Sequence, residues 1–120
     1  YGHERLYDDL EDVHKWLDQA FYNGRRVGFA FSELYKGEFK LDKLYIHPDV
    51  QRQGVGGELI EHVSRRAAKL GYPCVVLAVN KRNEKAIASY KKYGFAVREA
   101  IVDDIGHGFV MDDYVMEKKL

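Results

Sequence analysis

In the middle of the chain the hydrophobic spacing changes twice, and this change constrains the fold more than any other feature. Residues 39–46 alternate between apolar and charged side chains, which is typical of a strand with one face in the core. After the glycine segment (residues 51–57), residues 59–70 repeat apolar side chains at helical spacing. Residues 74–79 are continuously apolar, as in a strand buried on both faces. Strand, helix and strand in this order predict a crossover between two parallel strands.

Turn signals before this unit predict antiparallel strands. Asn23-Gly24 separates two apolar segments, and Gly37 lies in the next turn, so we expect three antiparallel strands from about residue 20 to residue 46. Upstream of them, apolar residues at helical spacing and several early acidic side chains predict a helix over residues 8–16, followed by a short strand.

The last part of the chain predicts a second helix and a hairpin. Asn83 is a favourable N-cap, and Gly94 is placed to end the helix with an apolar contact from Phe95. Residues 95–102 and 109–117 then form the two strands of a hairpin, with a turn through residues 106–108. The sequence therefore predicts an α/β (α+β) fold, with a mixed, largely antiparallel sheet flanked by helices in one domain.

Composition excludes several classes of function. The 120 residues carry 19 Lys+Arg and 19 Asp+Glu, which argues against a nucleic-acid binder driven by bulk charge. No apolar run approaches the roughly 18 residues of a membrane helix, and residues 1–5 do not have the pattern of a signal peptide. Cys74 is the single cysteine, and the histidines show no metal-ligand spacing. We expect a cytoplasmic single domain over residues 1–120 with no membrane, nucleic-acid or metal partner.

The glycine segment favours an anionic ligand. At a junction between a strand and a helix, the first helical N–H groups have no internal partner, and the helix dipole is positive there. Glycine at 54, 56 and 57 lets a phosphate approach those amides, and Arg52 adds charge, so a diphosphate suits the segment. The spacing matches neither a Walker loop nor a dinucleotide-binding fingerprint. On these residues alone, a plain glycine turn remains an equal alternative.

Two separated motifs resemble those of the GCN5-related N-acetyltransferase (GNAT) family, and the resemblance runs from about Asn23 to Leu120. The first motif is present as Gln51-x-x-Gly54-x-Gly56. The second motif has the pattern Asn-x-x-Ala-x-x-x-Tyr-x-x-x-Gly-Phe, which the sequence carries as Asn83, Ala86, Tyr90, Gly94 and Phe95.

This resemblance implies a GNAT acyltransferase fold and a reaction. Acetyl-CoA would be the cosubstrate, and its acetyl group would move by direct attack, in a ternary complex, to a primary amine of a small molecule or peptide. The pantetheine arm would pair with the backbone of the strand before the glycine segment. The implied cofactor-binding residues are Leu44, Tyr45, Ile46, Gln51, Arg52, Gln53, Gly54, Val55, Gly56, Gly57, Asn83 and Tyr90.

The resemblance also implies catalytic residues. Tyr90 is the predicted general acid, because a phenol holds its proton at pH 7 and can donate it to a leaving thiolate. On spacing alone a core tyrosine is the favoured interpretation of Tyr90, and Asn83 is explained as an N-cap. The complete second motif reverses this preference. Asp42 is the candidate base, since strand alternation would place it on the same face as Leu44 and Ile46. The alternative is a solvated strand acid.

The N-terminal part departs from the family pattern. GNAT domains begin with a strand and one or two helices before the hairpin at Asn23, and about 20 residues are too few for all of these, so we expect that N-terminal strand and helix to be missing. An unpaired sheet edge would favour association, which makes the sequence compatible with a homodimer. The alternative function is a non-catalytic regulatory module that binds acyl-CoA.

Overall fold

The computed structural model describes residues 2–6, 14–51, 53–106 and 109–120, which form a sheet and two α-helices. A short 3-10 turn at Pro48–Val50 precedes the first helix. The helices are α1 (Val55–Lys69) and α2 (Glu84–Lys92). The strands are β1 (Gly2–Leu6), β2 (Lys15–Tyr22), β3 (Arg25–Tyr35), β4 (Glu38–Ile46), β5 (Cys74–Asn80), β6 (Ala96–Gly106) and β7 (Phe109–Lys119).

The seven strands form a single mixed sheet in the order β1-β2-β3-β4-β5-β7-β6. Neighbours β4 and β5 are parallel, whereas the other neighbouring pairs among these strands are antiparallel. The predicted fold class and the predicted crossover through α1 are therefore confirmed. The last strand, β7, lies between β5 and β6, so the C-terminal hairpin joins the sheet through its second strand.

The parallel strands β4 and β5 pair with each other only near their first residues. Phe39 pairs with Val75 and Lys40 with Val76, and beyond these residues β4 continues to pair with β3 alone. The sheet is consequently open between the second half of β4 and β5. We call this opening the β4–β5 gap.

The N-terminal prediction was partly wrong. Lys15 and Trp16 belong to β2, not to a helix, because they pair with β3 and the Trp16 ring stacks on Phe39 at 5.3 Å between ring centroids. Tertiary packing here overrides the helical spacing. Residues 8–13 of the predicted helix lie outside the described residues. Contrary to the expectation of a missing N-terminal strand, β1 pairs with β2 at the edge of the sheet.

A buried salt bridge fixes α1 against the sheet. Arg66 of α1 donates two hydrogen bonds to the carboxylate of Asp18 on β2, both at 2.6 Å. Asp18 is completely buried, and the Arg66 side chain is 8% exposed. Arg66 also lies over the ring of Trp16, and the apolar stripe of α1, from Val55 through Leu59 and beyond, is buried in the same core. This packing determines where the N-terminus of α1 meets the sheet.

Candidate functional site

The N-terminus of α1 has no side-chain cap. Its N-cap is Gly54, whose φ of +86° lies in the left-handed region that favours glycine. The first amide to bond back is that of Glu58, which donates to the Gly54 carbonyl at 3.0 Å. The amides of residues 55–57 precede this bond, so they belong to the group of helical donors that need an outside partner. The turn can thus present several donors to an anion.

A cleft of about 790 Å³ lies between this turn, the end of β4 and helix α2. It brings together predicted site residues from three separate segments of the sequence. These residues are Leu44, Ile46, Gln51, Gly54, Val55, Gly56, Gly57, Asn83 and Tyr90. Three other predicted residues, Asp42, Tyr45 and Gln53, do not line it, and Arg52 lies outside the described residues.

The backbone of β4 presents alternate residues to the β4–β5 gap. The His47 N–H donates to the Val27 carbonyl at 2.7 Å, and the register continues through Tyr45 opposite Phe29. In an antiparallel pair every second residue bonds to its partner strand, so Leu44 and Ile46 direct their N–H and C=O groups away from β3, towards the gap.

Tyr45 differs from its two neighbours on β4. Its position opposite Phe29 uses its backbone groups in the pairing with β3. Its ring stacks on Phe29 at 5.6 Å between centroids and is 46% exposed. Of the three β4 residues predicted to bind the cofactor, Tyr45 therefore has the geometry least suited to that role.

Asp42 lies on the opposite face of β4 from Leu44 and Ile46, so the predicted shared face was wrong. The register between β3 and β4 shifts at this point: Ser32 pairs with Leu41 and Phe31 with Lys43, which leaves Asp42 as the extra residue of a β-bulge. The bulge reverses the alternation. Leu41 and Leu44, which flank it, both face α1.

The surroundings of Asp42 are charged. Its carboxylate lies 3.6 Å from Nζ of Lys40, on the sheet face away from α1. Burial raises the pKa of Glu33, and a hydrogen bond with Asp42 together with the charge of Asp42 raises that pKa further. Asp42 and Glu33 therefore form a carboxyl pair with one member that holds its proton more tightly than an isolated glutamate.

Helix α2 carries the other two predicted groups. The Asn83 side-chain oxygen accepts the Ala86 N–H at 3.2 Å, which is the expected N-cap, and its side-chain nitrogen takes no part in this cap. The Tyr90 ring packs edge-on against Phe95, 5.7 Å between centroids. Burial raises the pKa of Tyr90 above its ordinary value of 10.0, and nearby Tyr93 adds to the rise. Tyr90 is thus a proton donor that stays protonated at neutral pH.

Some cleft residues were missed because they belong to no motif. Lys85, Ser89 and Lys92 line the cleft from α2, and Tyr93 lines it at the end of that helix. Their spacing of four, three and one residues places the first three on one helical face, and this stripe, next to Asn83, was the available signal.

Two further residues of types that can carry out chemistry, His47 and Cys74, are held by neighbouring groups or are shielded by burial. His47 accepts the Asp49 N–H at its Nδ1 atom, 3.1 Å away, and its Nε2 atom lies 2.9 Å from Arg25. Burial raises the pKa of the Cys74 thiol, which disfavours a nucleophilic role. Among the described residues, no group of three His, Cys, Asp or Glu side chains could hold a metal ion, and no helix could span a membrane.

A mixed sheet that opens between its two parallel strands, beside an uncapped helix N-terminus, is the fold of an N-acetyltransferase domain. The crystal structure of the ribosomal-protein-S18-alanine N-acetyltransferase from Escherichia coli superposes on 89% of this chain and 70% of that chain, with a TM-score of 0.72 and 28% identity. The structure of Arabidopsis thaliana Naa50 in complex with the bisubstrate analogue CoA-Ac-MVNAL superposes with a TM-score of 0.70 and 28% identity. The superposition covers 87% of this chain and 72% of that chain.

Sequence comparison identifies the family. The profile of the acetyltransferase (GNAT) family matches residues 1–95, so the chain belongs to this family. It is 36% identical over 77 residues to the ribosomal protein bS18-alanine N-acetyltransferase of E. coli K12, across 64% of this chain and 52% of that protein. It is 43% identical over 81 residues to the peptidyl-lysine N-acetyltransferase YjaB of E. coli K12, across 67% of this chain and 49% of that protein. The chain thus matches about half the length of these two relatives.

Proposed function

We propose that this chain is an N-acetyltransferase domain that moves an acetyl group from acetyl-CoA to a primary amine. The observation that carries the proposal is the cleft itself, which joins the glycine turn, the open side of β4 and the Tyr90 face of α2 in one continuous space. Family membership supports the same reaction class. The domain would extend over residues 1–120, and a cytoplasmic location stays a prediction.

The residues present fit acetyl-CoA. The diphosphate needs donors without bulky side chains, which Gly54 and the amides of residues 55–57 supply. Lys85 and Lys92, which line the cleft, add positive charge near a ligand that carries several negative charges. The pantetheine arm contains amides, and the backbone groups of Leu44 and Ile46 face the β4–β5 gap, where such amides can pair with them.

The remaining members of the proposed binding set have secondary roles. Gln51 lines the cleft beside Gly54, and Asn83 can donate from its side-chain nitrogen. Gln53 and Tyr45 lie outside the cleft, so we expect their substitution to change acetyl-CoA binding less than that of Gln51. We include Arg52 in the proposed set because it adds positive charge within the glycine segment.

The chemistry needs one proton donor and one proton acceptor. The amine nitrogen forms a bond to the acyl carbon, the carbon–sulfur bond breaks, and the thiolate takes the Tyr90 proton. The attacking nitrogen loses a proton, which we assign to Asp42 directly or through water. A free backbone N–H at the gap, from Leu44 or Ile46, can stabilise the oxyanion of the acyl group without any side chain.

The relatives favour a protein or peptide amine as the acceptor. The two relatives are named for an alanine of a ribosomal protein and for a peptidyl lysine. We therefore propose peptide amines as the first class to test, with small-molecule amines as the second. A homodimer through an exposed sheet edge is compatible with the fold, since β1 and β6 both have one unpaired side among the described strands.

The test is a thiol-release assay with acetyl-CoA and a panel of peptides that offer either a free N-terminus or a lysine. Tyr90→Phe should lower kcat about 100-fold or more while coenzyme A affinity, measured by calorimetry, stays within threefold. Tyr35→Phe is the matched control, since Tyr35 is exposed at the β3–β4 turn and away from the cleft. Coenzyme A binding without turnover of any amine would instead favour the regulatory module, and no binding at all would refute both functions.

A further inference from the structure

The Tyr93 side chain occupies the space beside Gly56. A Cβ atom built on Gly56 would lie 2.9 Å from Cζ of Tyr93 and closer still to its hydroxyl oxygen. At Gly57 the nearest Tyr93 atom would be 3.8 Å away, an ordinary van der Waals contact. A Cβ atom at position 56 therefore requires the outer end of the Tyr93 side chain to move.

The backbone does not explain this glycine. Unlike Gly54, Gly56 does not have a positive φ, and it lies in the first turn of α1, where the helical backbone does not require glycine. Access of phosphate to the amides is one reason for a small residue, as the sequence suggested. The contact with Tyr93 is a second reason, which lies in the structure alone.

Helix α2 depends on a small number of contacts. None of its residues is fully buried, and its inner face, including Ile87 and Tyr90, is only partly buried against the core. Tyr93 directly follows α2 as its C-cap, three residues after Tyr90, and Gly94 with a φ of +103° ends the helix there. The contact of the Tyr93 ring with Gly56 thus links the end of α2, about one turn after Tyr90, to the glycine turn.

We propose that Tyr93 is a positioning residue: its contact with Gly56 sets the spacing between the glycine turn and α2. This spacing determines where the Tyr90 hydroxyl lies relative to a thioester whose diphosphate is held at the turn. Tyr93 acts through Tyr90 and need not touch the reacting atoms. The inference rests on the proposed acetyl transfer, and it predicts that residues 56 and 93 are energetically coupled.

The test is a double-mutant cycle with Gly56→Ala and Tyr93→Leu. Gly56→Ala pushes the Tyr93 ring away, and Tyr93→Leu removes its contact, so each should lower kcat about tenfold or more. For Tyr93→Leu the KM for acetyl-CoA should stay within about threefold, whereas the KM of Gly56→Ala also carries the separate effect of phosphate access. The leucine lacks Cζ and the hydroxyl, which leaves room for the alanine methyl. The double variant should therefore be no slower than the slower single variant, whereas independent effects would multiply to about a hundredfold loss.

Two comparison variants separate the explanations for Gly56. If phosphate access alone matters, Gly56→Ala raises KM for acetyl-CoA and Tyr93→Leu does not relieve it, which would overturn the inference. Gly57→Ala belongs to the same turn, and we expect its effect to fall on KM and to be independent of residue 93. Lys91→Ala, on the exposed side of α2, controls for a general disturbance of that helix and should leave kcat unchanged.

The same cycle on the unfolding midpoint in urea, without cofactor, separates this inference from the proposed function. A wild-type chain without turnover would refute the proposed function. A chain with turnover, but with additive effects of residues 56 and 93 on both kcat and the midpoint, would refute the inference alone. If Gly56→Ala does not fold, Tyr93→Leu and Tyr93→Phe are compared instead. A lower kcat at unchanged KM in Tyr93→Leu supports the positioning role, and an unchanged kcat in both variants refutes it.

Discussion

Removal of the Asp18 carboxylate should strongly destabilise the domain. The carboxylate is completely buried and accepts two hydrogen bonds of 2.6 Å from Arg66, which is itself 8% exposed. In Asp18→Ala the guanidinium would remain buried without a counterion. Its Nε already lacks a hydrogen-bond partner among the described residues, and His62, whose Nε2 lies 3.3 Å from the guanidinium, supplies no negative charge in place of the carboxylate. Removing one member of a buried ion pair costs about 3–5 kcal/mol.

Urea unfolding at pH 7 measures this loss. Arg65→Gln is the control one position away on the same helix, because Arg65 forms a 3.4 Å ion pair with Glu61 in which the two side chains are 75% and 55% exposed. An exposed pair of this kind contributes about 0.3–0.5 kcal/mol. The loss in free energy of unfolding should therefore be about ten times larger for Asp18→Ala than for Arg65→Gln. The m-value should not change, since the same surface is exposed on unfolding.

A third variant tests the physical reason for the loss. If the uncompensated charge is the cause, Asp18→Leu combined with Arg66→Met should recover much of the stability, because apolar replacement of a whole buried pair is often neutral or stabilising. An Asp18→Ala variant within 1 kcal/mol of wild type would refute the reasoning. So would a double variant that is less stable than Asp18→Ala, since packing and not charge would then dominate.

Two further predictions concern pH. Because burial and Tyr93 raise the pKa of Tyr90 above 10.0, the acid stays protonated up to that pH, and the alkaline fall in kcat should lie above pH 10; a fall centred below pH 9 would contradict this. Arg98 donates to both Glu38 oxygens, at 2.9 and 3.0 Å, and lowers the Glu38 pKa below 4.5. This pair stabilises the fold above pH 4.5 and is lost as pH falls through the lowered pKa, so Glu38→Gln should narrow the difference in urea midpoint between pH 7 and pH 3; an unchanged difference would contradict it.

The crossover unit was predictable because its signals are local. The alternation in residues 39–46, the helical stripe from Leu59 and the continuous apolar run of residues 74–79 each lie within one element, and each element forms as the spacing indicates. The same is true of the N-cap at Asn83 and the end of α2 at Gly94. The sequence was therefore enough to predict that the motif residues on these elements lie close together.

Features that depend on contacts between distant segments were not predictable. Lys15 and Trp16 lie in the predicted helix, yet both pair with β3, and Trp16 packs on Phe39, which comes more than 20 residues later. No local signal marks Asp42 as a bulge, because a bulge is a property of two paired strands. The contact of Gly56 with Tyr93 likewise joins two helices that are separated by a strand.

The bulge at Asp42 constrains how acid and base can cooperate in the proposed reaction. Leu44 and Tyr90 line the cleft on the helix side of the sheet, whereas Asp42 and Glu33 lie on the other face. If Asp42 accepts the proton of the amine, the acceptor must enter the β4–β5 gap from the face opposite the glycine turn. The amine and the cofactor then meet within the gap from opposite sides, so the amine can reach the acyl carbon without crossing the space that the cofactor occupies. Burial and the neighbouring Asp42 raise the pKa of Glu33, so the charge that an approaching ammonium group meets on this face depends on the protonation of Glu33.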